Sequence, residues 1–456
     1  MALNAAANLA ERIATAVPTT TTKGANPADD PRTLADPSGE TMRALVWLGP
    51  NHVQIQDVPK PRVVGEDDAV LEITGTTVCG SDLHLYHGAL LEMTKGFILG
   101  HEFCGRVASL GPKAQAEGKL KQGQRVVVSF QIACGDCKFC KQKLSSQCLR
   151  TNSSKVESKL YGQRTAGMFG YSHLTGFAGG QAEYVRVPHA SVNCLPIPDG
   201  IPDEKALYLS DVLPTSYHCV ADTGVKEGDT VGIWGAGPIG IFAAKWSLLK
   251  GAKRVIFVDK RERLALAKQK IPQAELLDYE AHKDVPARIL ELTKGRGIEA
   301  GEAPGLDVAL ECAAGEYAKS LLHKAQLATG LETDTPEIIS ECILSTKSFG
   351  RVGITGIYAG LTNGFNVGAA MERGIRLIFN GQAPVHKYWV ELLETIERGE
   401  IDPLELIVSH RIDLEEVPLC YRLQDEHKRG IIKPFVQTRF SDPPAPGAPQ
   451  TQTLKA

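Results

Sequence analysis

The sequence predicts an α/β protein in which a mostly-β domain is followed by a domain with a doubly wound parallel sheet. Two observations support this fold class. Short stretches that alternate apolar and polar residues, separated by turn residues, dominate the first half. In the second half, strand patterns alternate with helical patterns, which is typical of a parallel sheet covered by helices. With 456 residues, the chain is long enough for two large domains.

Composition and charge favour small-molecule chemistry over binding to nucleic acids or membranes. The chain has 50 Lys and Arg against 53 Asp and Glu, a net charge of −3, so no strong positive field would attract a polyanion. It contains no run of about 18 apolar residues, so we expect no membrane-spanning helix. Its 11 cysteines are too sparse for a disulfide framework, which favours a reducing, cytoplasmic location.

The two ends of the chain differ in composition from the rest. Residues 1–41 are rich in Ala, Thr, Pro and Asp, and residues 438–456 are rich in Pro, so both are expected to be disordered. Mitochondrial targeting by the first segment is an alternative, although Glu11, Asp29 and Asp30 offset its basic residues. The remainder divides into a first domain, a second domain and a return to the first, at residues 42–211, 212–383 and 384–437.

The first domain carries a thiol and an imidazole on two glycine-flanked loops. Strand patterns at 43–48, 52–56 and 69–74 lead to Cys79, and His101 follows later in the same domain. A thiolate and an imidazole are good zinc ligands. Three protein ligands with one open position would make such a zinc catalytic rather than structural.

Asp211 is a candidate third ligand, but its position has a second explanation. It stands in the apolar stretch 209–218, directly before a helix predicted to run from about Pro214. A short acidic side chain in such a place often caps the helix N-terminus. The spacing alone leaves both interpretations open.

A second metal site is predicted from four cysteines in one short stretch. They follow the pattern C-x2-C-x2-C-x7-C and are Cys134, Cys137, Cys140 and Cys148. Four thiolates on one loop can close a tetrahedral site without help from the rest of the chain, which is typical of structural zinc. An iron–sulfur cluster is the competing interpretation, because it can also be held by four thiolates.

The second domain opens with a dinucleotide-binding pattern. The strand pattern 229–234 runs directly into G-x-G-x-x-G, and a helical pattern follows at 241–249. In this context the first glycine permits a tight turn, the second lets the backbone approach a pyrophosphate, and the third allows close helix packing. The motif residues are Gly235, Ala236, Gly237, Pro238, Ile239 and Gly240.

The residue that ends the next strand bears on the choice of cofactor. The strand pattern 254–258 ends at Asp259, whose carboxylate can bind ribose hydroxyls and would repel a 2′-phosphate. NAD is therefore favoured over NADP. Three basic residues after this acid leave some tolerance of NADP open, namely Lys260, Arg261 and Arg263.

Further strand patterns at 306–310, 350–355 and 376–379 would complete a six-stranded doubly wound sheet. Residues 311–344 form a longer segment than one crossover requires. We interpret the excess as a loop inserted over the cofactor.

Over residues 42–437 the chain resembles the zinc-containing medium-chain alcohol dehydrogenases. The resemblance rests on Cys79–His84, Gly100–Glu102, the four-cysteine stretch and the glycine motif. It implies a GroES-like catalytic domain, a Rossmann domain that binds NAD, two zinc ions per chain and a dimer or tetramer. The stretch 209–218 looks like the branch of glutathione-independent formaldehyde dehydrogenases and formaldehyde dismutases, in which aspartate is the third zinc ligand.

The resemblance also implies roles for single residues. Cys79, His101 and Asp211 would hold the catalytic zinc, and Glu102 would lie behind it. Ser81 would accept the substrate proton and His84 would pass it towards solvent, since an imidazole can exchange protons near neutral pH. Plainer explanations are a helix cap for Ser81 and a turn residue for His84.

The implied activity is hydride transfer between NAD and a small alcohol or aldehyde hydrate, with formaldehyde as the suggested substrate. A dismutase with tightly held NAD is a variant of this hypothesis. A glutathione-adduct or polyol dehydrogenase is the alternative enzyme; Asp211 counts against the first and the four-cysteine stretch against the second. A cofactor-binding protein without turnover is disfavoured, because no zinc ligand is missing and Ser81 is present.

Overall fold

This computed structural model describes residues 34–90, 93–171, 176–295, 300–313, 335–358, 362 and 364–454. The chain divides into two compact units. The first comprises the described residues up to Pro214 together with those from Pro384 onward, and the second runs from Thr215 to Ala383. Within the described ranges, no helix has the length and apolar character needed to cross a membrane.

The first part of the chain is built mainly from short strands, as the alternating patterns predicted. The strands are β1 (Thr41–Gly49), β2 (His52–Pro59), β3 (Ala69–Thr76), β4 (Phe97–Ile98), β5 (Phe103–Leu110), β6 (Arg125–Val128), β7 (Gln131–Ile132), β8 (Gly167–Met168), β9 (Tyr184–Val187) and β10 (Cys194–Pro196). The helices are α1 (Gly80–Tyr86), α2 (Pro112–Glu117), α3 (Lys138–Lys141), α4 (Lys155–Tyr161), α5 (Ala190–Asn193) and α6 (Asp203–Ala206), with 3₁₀ turns at Ser145–Gln147 and Leu207–Ser210.

The second unit alternates strands and helices. Its elements follow α7 (Val212–Thr223) and are β11 (Thr230–Trp234), α8 (Pro238–Leu249), β12 (Arg254–Asp259), α9 (Arg261–Lys270), β13 (Glu275–Asp278), α10 (Val285–Leu292), β14 (Leu306–Glu311), α11 (Glu337–Ser345), β15 (Thr346–Ile354), α12 (Val367–Glu372) and β16 (Arg376–Phe379).

These six strands form one parallel sheet in the order β13-β12-β11-β14-β15-β16. This is the doubly wound Rossmann order, in which ligands bind where the order reverses, here between β11 and β14. Every residue of β11 is buried, as expected for a central parallel strand covered on both faces. The predicted doubly wound sheet is confirmed, and its sixth strand is β13, which was not among the five strand patterns named from the sequence.

After Pro384 the chain returns to the first unit. The elements are α13 (Val385–Glu397), α14 (Pro403–Leu406), β17 (Val408–Asp413), a 3₁₀ turn at Leu414–Glu416, α15 (Val417–Asp425) and β18 (Lys433–Gln437). Strands β18 and β17 extend the main sheet of this unit, whose order is β10-β6-β5-β3-β18-β17, with β9 also paired to β3. Val436 of β18 lies opposite Thr76, so the last strand runs beside the strand that precedes Cys79.

The prediction of a disordered C-terminal tail is wrong for residues 438–454. The Arg106 side chain donates to the backbone oxygen of Phe440 and to Asp442, and the buried Arg411 donates to the backbone oxygen of Asp442. Leu454 is buried in an apolar cluster. Contacts with two arginines and the burial of Leu454 thus order a segment whose composition alone indicated disorder.

The predicted N-terminal arm is also ordered where the structure describes it. Ala35 pairs with Pro61, and the Arg62 amide donates to the Leu34 carbonyl. Backbone pairing therefore orders residues 34–41, which local composition does not reveal. The prediction for residues 1–33 lies outside the described residues.

Candidate metal and cofactor sites

Three connections in the first unit bring the predicted ligands together. Cys79 lies between β3 and α1, His101 lies between β4 and β5, and Asp211 lies between a 3₁₀ turn and α7. Their ligand atoms, with a carboxylate oxygen of Glu102, all lie within 4.8 Å of one another. A thiolate, an imidazole and carboxylates at such spacing are a donor set that suits zinc.

A glycine places His101 in this cluster. Gly100 has a φ of +95°, and a Cβ there would lie 2.5 Å from the Gln181 side chain. The left-handed backbone and the close approach both require glycine. The turn it allows directs the buried His101 side chain towards Asp211.

The His101 ring is oriented from one side and faces the other ligands on the opposite side. Its Nδ1 lies 3.1 Å from Asp82 Oδ1, and its Nε2 lies 3.3 Å from Asp211 Oδ2. A carboxylate on the far nitrogen is the usual way in which a metal-binding histidine is oriented. Although burial opposes a charged ring, Asp82 and Asp211 raise the pKa of His101 well above its usual range. The site thus stabilises positive charge where a metal ion would bind.

No functional role for Asp82 is predicted from the sequence. Besides facing His101, its carboxylate accepts hydrogen bonds from the Cys79 amide (2.9 Å) and from Gln181 Nε2 (3.2 Å). The Tyr421 hydroxyl in turn donates to Gln181 Oε1. The position of Asp82 three residues after Cys79 could have revealed it, since an acid there can bond the N-terminus of the helix. Gln181 and Tyr421 carry no such local pattern.

Ser81 lies beside the predicted metal ligands and is not the N-cap of its helix. The N-cap of α1 is Cys79, and Ser81 is the second residue of that helix. Ser81 Oγ lies 3.2 Å from His101 Nε2. His84 is half-buried and follows three positions later, which places it on the same side of the helix.

Glu102 is fully buried and paired with a lysine that no sequence pattern points to. Lys433 Nζ, at the start of β18, donates to Glu102 Oε1, and the exposed fractions of the two side chains are 2% and 1%. Burial opposes the charge of this ammonium, but Cys79 and Glu102 raise the pKa of Lys433 above its usual range. The two residues are 331 positions apart, so no local pattern connects them.

Two aromatic rings lie beside the imidazole of His101. The ring centroids of Phe130 and Tyr171 lie 6.2 and 6.5 Å from that of His101, both in edge-to-face geometry. Burial raises the pKa of the Tyr171 hydroxyl above its usual range. Aromatic side chains therefore lie next to the imidazole of the predicted ligand His101.

The four cysteines of the second cluster converge as the sequence predicted. The Sγ atoms of Cys137 and Cys140 lie 3.5 Å apart, and Cys134 to Cys140 and Cys137 to Cys148 each measure 4.0 Å. Tetrahedral zinc with bonds of about 2.3 Å places its sulfurs about 3.8 Å apart. An iron–sulfur cluster puts several irons between the thiolates and needs wider spacing. The arrangement therefore fits one zinc ion.

In the second unit, the glycine motif forms the turn between β11 and α8. Gly235 has a φ of +101°, and a Cβ on Gly240 would lie 1.9 Å from the Gly235 carbonyl oxygen. Gly237 is the N-cap of α8, and a Cβ there would meet no atom within 4 Å. The open space at Gly237, in front of a helix N-terminus, suits a pyrophosphate.

Asp259 ends β12 and lies beside this turn. The Ala236 amide donates to Asp259 Oδ2 at 2.7 Å, and the Lys260 amide donates to Oδ1. The Arg263 guanidinium lies 3.9 Å from Asp259 Oδ2. The acid thus stands at the position expected to select the ribose, and the loop predicted over the cofactor lies outside the described residues at 314–334.

The first unit is GroES-like and contains a cluster of cysteine, histidine and carboxylate side chains and a four-cysteine lobe. The second unit has the Rossmann fold. Together these features define the class of zinc-containing medium-chain dehydrogenases. Residues 65–199 match the alcohol dehydrogenase GroES-like domain family. The chain is 40% identical over 403 residues to a zinc-type alcohol dehydrogenase-like protein of Schizosaccharomyces pombe, covering 88% of this chain and 92% of that protein.

Other relatives agree with this assignment. The chain is 32% identical over 419 residues to a glutathione-independent formaldehyde dehydrogenase of Pseudomonas aeruginosa, covering 86% of this chain and 96% of that protein. The solved structure of alcohol dehydrogenase TADH from Thermus sp. ATN1 matches with a TM-score of 0.71 and 29% identity, covering 87% of this chain and all (100%) of that one. The chain belongs to the zinc-type alcohol dehydrogenase family and is an oxidoreductase, for which zinc and a nicotinamide cofactor are expected.

Proposed function

We propose that the protein transfers hydride between NAD and a small alcohol or aldehyde hydrate, with formaldehyde as the preferred aldehyde. The observation that carries this proposal is the cluster of Cys79, His101 and Asp211, with the Ser81 hydroxyl 3.2 Å from His101 Nε2. An aspartate in the third position supports the formaldehyde branch. The 32% identity to a glutathione-independent formaldehyde dehydrogenase supports the same substrate.

The donor set fits a zinc ion that keeps one position for the substrate. Cys79 as thiolate and Asp211 as carboxylate balance the two charges of zinc, and His101 adds none. When bound, zinc would act as a Lewis acid on the substrate oxygen and NAD would accept the hydride. The chain's own contribution is to hold the ligands, which it does through Asp82, Gly100 and the turn before α7.

The proton released from the substrate needs an acceptor in the same place. Ser81 Oγ is within hydrogen-bond distance of the nitrogen that faces the other ligands, which supports Ser81 as the acceptor of the substrate proton. We infer that His84, three positions later on the same side of α1, passes the proton onward.

We further infer that the aromatic rings beside His101 restrict the size of the substrate. Phe130 and Tyr171 stand edge-on to the imidazole. Bulky side chains next to a proposed metal ligand favour a substrate with small groups, which supports a one-carbon aldehyde hydrate or a short alcohol.

The proposed cofactor is NAD, because the Asp259 carboxylate would repel a 2′-phosphate. Asp259→Ser should therefore lower the ratio of kcat/KM with NAD to kcat/KM with NADP by about tenfold or more. A loss of 1.4 kcal/mol in discrimination corresponds to a factor of about ten. Arg263→Ala is the control, expected to widen the preference. An unchanged ratio in Asp259→Ser would refute the assignment.

The substrate is tested with purified protein and formaldehyde in the absence of glutathione, with and without added NAD. Formate with stoichiometric NADH would support the dehydrogenase. Equal amounts of formate and methanol without added NAD would assign the dismutase instead. No formate in either case would refute formaldehyde as substrate, and a panel of short alcohols would then be the next assay.

Metal content tests the ligand assignment. We expect two zinc ions per chain by elemental analysis, and the loss of one in Asp211→Ala, with the four-cysteine site still filled. Two retained zinc ions in that variant would count against Asp211 as a ligand. The dimer or tetramer that the family resemblance implies belongs to the same proposal and is tested by sedimentation.

A further inference from the structure

Asp211 directly follows a helix and a turn that are joined without a linker. Helix α6 (Asp203–Ala206) runs into the 3₁₀ turn Leu207–Ser210, and Asp211 comes next. All four residues of the turn are fully buried, and the Phe130 amide donates to the Ser210 carbonyl at 3.1 Å. The place of the Asp211 carboxylate therefore depends on where α6 is held.

The first and third residues of α6 form ion pairs with other elements of the first unit. Asp203 lies 2.6 Å from Arg125 of β6. Lys205 lies 2.6 Å from Asp402, the N-cap of α14. Contacts with two separate elements thus fix this short helix.

Glu204, between them, connects α6 to the C-terminal tail. Its Oε1 accepts hydrogen bonds from the Arg411 guanidinium and, at 3.1 Å, from the Ala445 amide. The same guanidinium donates to the backbone oxygen of Asp442. The exposed fractions of the Arg411 and Glu204 side chains are 1% and 6%, so little water competes for this pair. The tail thus closes a network that includes α6.

A cavity beside α6 makes these polar contacts important. Residues of α6 and of the tail both line this cavity of about 310 Å³, and the lining includes Glu204, Arg411, Asp442 and Ala445. A void supplies no van der Waals contacts, so hydrogen bonds and ion pairs hold α6 on this side more than packing does. Loss of the tail residues would open the cavity to water, which weakens an ion pair by raising the local dielectric constant.

We propose that the C-terminal tail, through Arg411 and Glu204, fixes the helix that precedes Asp211 and so helps to retain the metal at the catalytic cluster. Arg411 and Glu204 are positioning residues, because they act on the metal only through the backbone that leads to Asp211. The inference rests on the proposed function, in which Asp211 is a zinc ligand.

Two truncations that remove different contacts provide the test. Truncation after Ser441 removes the tail residues that contact Arg411 and Glu204, whereas truncation after Gln450 keeps them. The measurement is the rate at which each zinc ion of the loaded protein passes to a coloured chelator. Truncation after Ser441 should speed release of the zinc ion that Asp211→Ala loses by about tenfold, the lower end of the usual effect of disturbing the surroundings of metal ligands.

The four-cysteine site is the internal control. Its zinc ion should be released at the same rate in the full chain and in both truncations, and truncation after Gln450 should release both ions at the full-chain rate. Faster release of both ions after truncation at Ser441 would indicate a general loss of stability and would overturn the role of the tail. Release of the catalytic zinc at the full-chain rate would overturn it as well.

If the truncation after Ser441 does not fold, Glu204→Ala replaces it. Faster release of the catalytic zinc alone would support the proposal, and an unchanged rate would overturn it. Glu204→Gln is the matched control, since its amide oxygen can accept the same two hydrogen bonds, and it should release zinc as the wild type does. Retention of both zinc ions in Asp211→Ala would refute the ligand assignment and this role with it, whereas loss of one ion there with unchanged release in the other variants would overturn the role of the tail alone.

Discussion

At the scale of single residues, chemistry rather than distance from His101 Nε2 distinguishes the proposed metal ligand from the group proposed to accept the proton. Asp211 and Ser81 lie at 3.3 and 3.2 Å from this nitrogen. Asp82 lies on the far nitrogen and orients the ring. A carboxylate can bind the metal, whereas a neutral hydroxyl is better suited to pass on a proton.

Replacing Ser81 with alanine should therefore slow catalysis without removing the metal. We expect kcat for the preferred substrate to fall by on the order of 10²-fold or more, which is typical for loss of a proton-transfer group. Ser81→Thr, which keeps the hydroxyl, is the matched control and should retain most activity. Steady-state kinetics with zinc analysis checks both, and wild-type kcat in Ser81→Ala would refute the proton path.

At the scale of elements, the turn from β11 to α8 contains glycines of two kinds. Some are required by the packing of the turn, and one is required by the expected ligand. Gly240 packs against the Gly235 carbonyl, with no room for a Cβ. Gly237 has φ −82° and ψ −171°, which any residue can adopt, and it faces open space. The first requirement is internal packing, and the second is the approach of a pyrophosphate.

The matched variants Gly237→Ala and Gly240→Ala should therefore change different properties, namely NAD affinity and stability respectively. Gly240→Ala should destabilise the protein by about 1–3 kcal/mol or more, the usual cost of forced overpacking. Gly237→Ala should leave the unfolding free energy within about 0.5 kcal/mol of wild type, as is usual where no contact is disturbed. Its NAD affinity, measured by fluorescence titration, should nevertheless fall by about tenfold or more. Unchanged NAD binding in Gly237→Ala would contradict the placement of the pyrophosphate.

The start of α13 forms hydrogen bonds to the four-cysteine lobe and to a residue that contacts it. His386 Nδ1 lies 2.8 Å from Ser145 Oγ, and His386 Nε2 lies 3.1 Å from Asn193 Oδ1. Asn193 also accepts from the Ala133 amide, just before Cys134. Because Asn193 Oδ1 can only accept, the ring donates from Nε2 and accepts from Ser145. The network needs a neutral imidazole, and burial lowers the pKa of His386 to about 4.

This histidine should make stability fall as the pH is lowered. The unfolded chain takes up a proton near pH 6.5, whereas the native ring stays neutral down to about pH 4, so the unfolded state is favoured as pH falls between these values. Between pH 7.5 and 5.5 we expect a loss of roughly 1.3 kcal/mol from this group. His386→Asn does not titrate, so thermal unfolding of this variant should depend less on pH than that of wild type. Equal pH dependence would contradict the assignment.

At the scale of the whole molecule, the last residues of the chain are part of the first unit rather than an appendage. The Gln452 amide donates to the Arg411 carbonyl, and the Leu454 amide donates to Glu416. Arg411 is itself buried and paired with Glu204. The tail therefore covers a buried ion pair and contributes an apolar side chain to the core.

Truncation after Gln450 should accordingly destabilise the protein. Loss of the buried Leu454 side chain alone removes about 1.5–3 kcal/mol of burial free energy. Truncation after Leu454 is the control and should unfold at the wild-type temperature in differential scanning calorimetry. Equal unfolding temperatures for both truncations would show that the tail does not stabilise the folded unit.

The sequence by itself determined the fold class, the four-cysteine site, Cys79 with His101, and the glycine motif with Asp259. In each case the chemistry is carried by residues that are near one another in the chain, or by a motif whose strand and helix flank it. Asp211 could be selected only through the family resemblance, because a cap and a ligand look alike before a helix.

Only the tertiary structure decided how these residues are supported. Lys433 meets Glu102 because β18 pairs with β3, and Gln181 reaches Asp82 across 99 positions. The tail is ordered by Arg106 and Arg411, which lie far from it in the chain. The physical reason is the same throughout: buried polar groups must find partners wherever the fold brings them, and strand pairing between distant segments is not encoded in local spacing.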